Sequence, residues 1–153
     1  MPNSERVLPV QRLLQQERHG VLCTSSKKLD GWPFGSLTPY ALSSAGEPLF
    51  LLSGLAEHTH NLLADARCSL FVQDSMALAN PQAGARATLV GLAERVAEDQ
   101  LIEARTAYTA RFPESAALLQ MGDFGLFQLK IERVRYIGGF GEMYWLSGDE
   151  LSV

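Results

Sequence analysis

The stretch from Phe127 to Tyr136 constrains the fold more than any other part of the chain. Phe127, Leu129 and Ile131 alternate with Gln128, Lys130 and Glu132, the two-residue period of a strand with one buried face. The phase then slips, because Glu132 and Arg133 are consecutive and polar, and Val134 and Tyr136 continue on the other parity. A one-residue slip turns side chains to the opposite face, so a bulge or a change of partner is expected there.

Around this strand the pattern predicts mostly strands joined by hairpins, with a few helices. Residues 4–18 read as a helix: Val7, Val10 and Leu14 share a face with Leu13, Pro9 falls in the first turn, Ser4 caps it and Gly20 stops it. Strands are predicted at 21–24, 34–42, 49–53, 68–74 and 85–96; Pro39 limits the second to an edge or a bulge. Gly91 in the longest of these hints at a bulge or a close backbone approach. Residues 57–66 read as a helix with Leu62, Leu63 and Ala66 inward. Helices are also expected at 98–112, where Leu101, Ala104, Tyr108 and Phe112 share a face, and at 114–121. No β-α-β rhythm, internal repeat or linker is visible. The expected class is α+β, mainly antiparallel β with peripheral helices, in one domain over 1–153.

Composition narrows the function classes. The chain of 153 residues is 46% hydrophobic with a formal net charge of −4, which excludes disorder and argues against an unspecific grip on nucleic acid or an anionic membrane. No apolar run reaches the length of a membrane span, and the amino terminus has no secretory pattern. Cys23 and Cys68 both lie in apolar runs and read as reduced core residues, so the expected location is cytoplasmic.

Few residues carry chemistry. Of three histidines, His58 and His60 are two apart, a spacing that a strand aligns but a helix splays, and a metal site would need further ligands to converge on them, so no metal site is expected. Glu57-His58-Thr59-His60-Asn61 opens a predicted helix. Its free N–H groups, hydroxyl and amide could hold a phosphate with little charge. Gly138-Gly139-Phe140-Gly141 has neither the dinucleotide nor the phosphate-loop spacing. There is no G-x-S-x-G and no Cys–His neighbour pair. Lys27-Lys28 reads as a solvated turn, and Arg133 and Arg135 as surface residues. No acid–base constellation emerges, which points to chemistry borrowed from a cofactor.

Four segments, PFGSLTPYAL, LFLLSGLAEHTHNLLADARCSLFV, GARATLVGLAERV and RVRYIGGFGEMYWL, together resemble the pyridoxamine 5′-phosphate oxidase-related, FMN-binding split-barrel family, nearest its haem-utilisation (HugZ-like) branch. The resemblance implies a six-stranded antiparallel split β-barrel of the FMN-binding type. It implies a homodimer with two FMN sites at the subunit interface. By the same likeness Ser36, Leu37, Thr38 and Pro39 would line the isoalloxazine edge, and Ser53, His58, Thr59 and Asn61 would meet the ribityl phosphate. Arg86 would be a polar contact from the long strand, and Trp145 would pack on the cofactor from the other subunit.

The departures are informative. His-Thr stands where the oxidases have Arg-Lys, the late Arg-x-His of the true oxidases is missing, and no histidine follows His60. The additional carboxyl-terminal domain of many HugZ-like relatives is not expected here. The leading expectation is therefore an FMN-dependent oxidoreductase of unknown substrate. Its alternatives are a haem-binding or haem-degrading protein of the HugZ type, and a non-catalytic dimer without cofactor.

Overall fold

A computed structural model describes residues 2–139 and 141–152. Phe140 of the glycine motif lies outside the described residues, as do the first and last residues. In chain order the elements are α1 (Pro2–Gln16), β1 (His19–Ser25), β2 (Pro33–Pro39), β3 (Ala41–Leu42), β4 (Pro48–Ser53), α2 (Glu57–Ala64), β5 (Arg67–Gln73), β6 (Arg86–Arg95), α3 (Leu101–Arg111), α4 (Ala116–Leu119), β7 (Phe124–Ile137), β8 (Met143–Ser147) and α5 (Gly148–Leu151). The strands form one antiparallel sheet, a half-barrel ordered β2-β1-β5-β6-β7-β4-β3, with β8 also on β7.

The phase slip in β7 produces both of its expected consequences. Toward β6 the register jumps, with Val90 opposite Arg133 and Gly91 opposite Ile131, so Glu132 is the extra residue of a bulge. On the other edge, β4 pairs with Phe124 to Gln128, and β8 takes over from Arg133 to Ile137. One edge of β7 thus serves two strands, and the parity change matches the change of neighbour.

Eight strands are present among the described residues, rather than six. The predicted strand at 34–42 breaks at Tyr40, which is wholly buried. Its N–H donates to Arg18 O at 3.0 Å and its hydroxyl to Leu14 O at 2.7 Å, drawing the chain inward between β2 and β3. The eighth strand, β8, closes a hairpin with β7. The edge position expected from Pro39 is observed, since among the described residues β2 pairs only with β1.

Two apolar cores follow. In the larger, Val7, Val10, Leu13 and Leu14 of α1 meet Leu22, Leu70, Val72, Leu89, Val134 and Leu146 from one face of the sheet. In the smaller, Ala104 and Tyr108 of α3 cover Ala41, Leu49 and Leu126 on the opposite face of β3, β4 and the first half of β7. Helix α1 starts before Ser4 and ends at Gln16, so Ser4 is within the helix rather than its cap, and Pro9 lies in its interior. Gly20 is not a helix stop. It sits in β1, where a β-carbon would come 2.5 Å from Phe71 O, so it permits the close approach of β1 to β5. In α2, Leu62 is buried as expected, but Leu63 is exposed and Thr59 and Asn61 point inward instead.

Candidate functional site

Because α3 covers only β3, β4 and the first half of β7 on the outer sheet surface, the outer surface of β1, β2, β5, β6, β8 and the second half of β7 has no helix on it among the described residues. Its side chains follow from the register. Leu37 of β2 is opposite Val21, Val21 opposite Phe71, Phe71 opposite Thr88, Thr88 opposite Arg135, and Arg135 opposite Trp145. Directly paired residues share a face, so these six form a row across the sheet, about 24 Å wide at ~4.8 Å between strands. Leu37 is 74% exposed and Trp145 51% exposed, unusual for large apolar side chains at mid-strand. The Arg135 guanidinium lies 5.5 Å from the centre of the Trp145 ring, a cation–π contact that fixes both. Arg133 is on the same side, two residues away.

Four of the residues expected to contact a cofactor share this face. Leu37 and Trp145 belong to the row, and Pro39 and Arg86 stand two residues from it on β2 and β6. Arg86 donates to Gln82 O at 2.9 Å and Gly84 O at 3.2 Å, which ties down the loop before β6. Ser36 and Thr38 alternate to the other side of β2; Thr38 is buried and donates to Ser36 O at 3.1 Å.

The other expected residues gather at the start of α2, and most of their polar groups are committed within the fold. Thr59 donates to Ser53 O at 2.6 Å. Asn61, wholly buried, donates to the Thr24 hydroxyl at 3.0 Å and accepts the Lys27 N–H at 2.9 Å. The Ser53 hydroxyl donates to the Asp123 carboxylate at 3.0 Å and accepts from Leu55 N–H at 3.1 Å. A carboxylate therefore stands where a phosphate was expected. His60 Nε2 is 2.9 Å from Gly54 O, and since a carbonyl only accepts, that nitrogen carries the proton. His58 is half-buried, and burial holds its imidazole below the usual histidine range. Among the described residues no cluster of three metal-type ligands exists.

Sequence reasoning missed His19, Val21, Phe71, Arg133 and Arg135 as members of one surface. His19 stands in β1 on the side of Val21, opposite Pro39. The available signal was apolar residues on both parities, Val21-Leu22 in β1 and Leu70-Phe71-Val72 in β5. Such strands need cover on both faces, and the described residues of this chain cover one.

The β-barrel family described as CREG matches residues 4–152. The chain belongs to the CREG β-barrel family. Among curated relatives, this CREG β-barrel chain is 35% identical over 130 residues to the chloroplastic heme oxygenase HOZ of Arabidopsis thaliana, covering 85% of this chain and 39% of the relative. It is 29% identical over 150 residues to the heme oxygenase HutZ of Vibrio cholerae, covering 95% of this chain and 84% of HutZ. A solved heme-binding protein from Mycobacterium smegmatis superposes with a TM-score of 0.86 at 32% identity, over 93% of this chain and 57% of that one. The chain thus spans well under two thirds of the plant and mycobacterial proteins.

These relatives overturn the expected cofactor. All three are named for haem and none for FMN, so the FMN assignment is withdrawn, and the flavin-dependent oxidoreductase reading has no support among them. The expected haem-utilisation branch is supported. Among the described residues no helix is long and apolar enough to cross a membrane.

Proposed function

We propose that this chain is a haem-binding protein of the haem-utilisation type, holding haem against the uncovered outer face of its sheet. The match at 35% identity to a heme oxygenase over 85% of the chain carries this reading, and the chemistry of the face supports it. A porphyrin presents a broad apolar plane and two carboxylates. Leu37, Val21, Phe71 and Trp145 offer apolar surface, while Arg133 and Arg135 suit carboxylates, which guanidinium groups bind in bidentate fashion. His19 is the one histidine on this face and the imidazole we assign to the iron. When bound, haem supplies the oxygen chemistry and the protein supplies binding and orientation. A second copy would bury the rest of the face, so the working unit is a homodimer.

Titration with haem, followed by visible absorbance, tests this. A saturable protein-bound spectrum is expected, altered in His19→Ala and weakened by Arg135→Ala or Leu37→Asp. Binding as loose as that of an unrelated protein, or indifferent to all three substitutions, would overturn the reading. Sedimentation at micromolar concentration tests the dimer, and a monomer in both apo and haem-loaded samples would remove that part of it.

A further inference from the structure

On the side of the molecule where α1 and α5 meet the β3–β4 turn, a groove of about 510 Å³ opens beside the bulge of β7. This volume lies within the range of small-molecule sites. Its floor is apolar, made by Leu14, Ile131 and Leu151, all buried, and its rim carries the side chains of Gln15 and Ser44. Among the described residues only one that lines the groove is charged, Glu47, and no lysine, arginine or histidine faces it.

The bulge explains why that carboxylate is there. Between Gln128 and Arg133 the edge of β7 has lost β4 and not yet gained β8, which leaves backbone groups in need of partners. Glu47 reaches across from the turn. Its Oε2 accepts the Ile131 N–H at 3.0 Å and its Oε1 accepts the Gln128 amide at 2.8 Å. The turn is itself braced, since Ser43 N–H donates to Glu47 O at 2.8 Å and Glu47 N–H to the Ser43 hydroxyl at 3.2 Å. A carboxylate has about four acceptor positions, and two donors leave the others for a ligand. The charge is therefore already oriented, and no side-chain entropy is spent on fixing it when a ligand arrives.

We propose that this groove is a binding site for a small amphipathic amine, its apolar body on the Leu14–Ile131–Leu151 floor and its ammonium on Glu47. An anionic ligand meets only the carboxylate, and a neutral one forgoes the charge-assisted bond. Closing the β7 edge accounts for Glu47 but not for the ligand-sized opening next to it. The inference does not rest on the haem reading, because it uses none of the residues of the outer face.

Tryptamine is a suitable probe, with tryptophol as its neutral isostere, followed by amide chemical shifts of the full chain. Saturable shifts are expected at Gly46, Ile131 and Gly148, with tryptophol weaker by about tenfold, the worth of one charge-assisted hydrogen bond. Glu47→Gln keeps an oxygen for the Ile131 N–H and removes the charge, and should erase the preference for the amine. Ser44→Arg, at an exposed rim position away from the β7 contact, should weaken tryptamine by a similar factor, which covers the case in which Glu47→Gln does not fold. Absence of saturable tryptamine shifts, equal binding of the two probes, or an amine preference untouched by Ser44→Arg would each overturn the proposal.

Discussion

Gly91 of β6 lies directly against the Lys130 carbonyl of β7, where a β-carbon would stand 2.0 Å from the oxygen and 2.9 Å from the carbonyl carbon. The register shift of the β6–β7 pair falls at the same residue. Backbone, not a flexible side chain, makes the contact, so the neighbour cannot move aside without disturbing the bulge. Gly91→Ala is expected to destabilise the fold by about 3 kcal/mol or more. Gly122→Ala, with nothing within 4 Å of its added carbon, should change stability by less than about 0.5 kcal/mol. Equal denaturation midpoints for the two variants would refute this account of the bulge.

Asn61 joins three parts of the chain, tying α2 to Thr24 of β1 and to the backbone of Lys27 in the turn that follows. Removing its side chain takes a donor from the Thr24 hydroxyl, which still donates to Phe34 O at 3.5 Å, and leaves the Lys27 N–H without its acceptor. Asn61→Ala should therefore cost about 1–3 kcal/mol. A more specific readout is amide hydrogen exchange at Lys27, which should accelerate in Asn61→Ala relative to neighbouring amides. Unchanged protection at Lys27 would show that this bond does not hold the turn.

The parts legible in the sequence are those where one face alone is buried. Strand β7, with its slip at Glu132, and helix α3, with Ala104 and Tyr108 inward, were readable because a single periodicity reports a single covered side. Strand β8 was not, because Met143-Tyr144-Trp145-Leu146 is apolar on both parities and shows no alternation. At α2 the difficulty is different in kind. Thr59 and Asn61 read as donors awaiting a ligand, and sequence cannot show that Ser53, Thr24 and Lys27 already use their bonding capacity. The outer face was half-legible. Leu37, Pro39, Arg86 and Trp145 were singled out by family resemblance, whereas grouping them with His19, Val21 and Phe71 needs the strand order.

The two cysteines occupy opposite faces of neighbouring strands, with Cys23 opposite Ser69 and Cys68 opposite Thr24. Cys68 is buried and its thiol is pushed up to about 12, mainly by burial; Cys23 is half-exposed on the uncovered face. Near pH 8, iodoacetamide should label Cys23 and spare Cys68, because only the thiolate reacts. Peptide mass spectrometry distinguishes the two sites. Labelling of Cys23 should also slow as protein concentration rises, if a second copy closes over this face. Preferential labelling of Cys68 would contradict the strand facing described here.

His58 gives the fold a predictable response to acid. Burial disfavours its charged form, so its pKa in the folded chain lies below the ordinary value of 6.5. The unfolded chain then binds the proton more readily. The stability that depends on a neutral His58 is complete above about pH 6.5, is lost as pH falls from there through the folded pKa, and levels off below it. His58→Gln cannot titrate, so its stability should fall less than that of the unmodified chain between about pH 7.5 and about pH 5. Denaturation at both values measures the difference, and a ring titration by NMR locates the midpoint. A midpoint at or above the ordinary histidine value, or parallel stability profiles for the two proteins, would rule this linkage out.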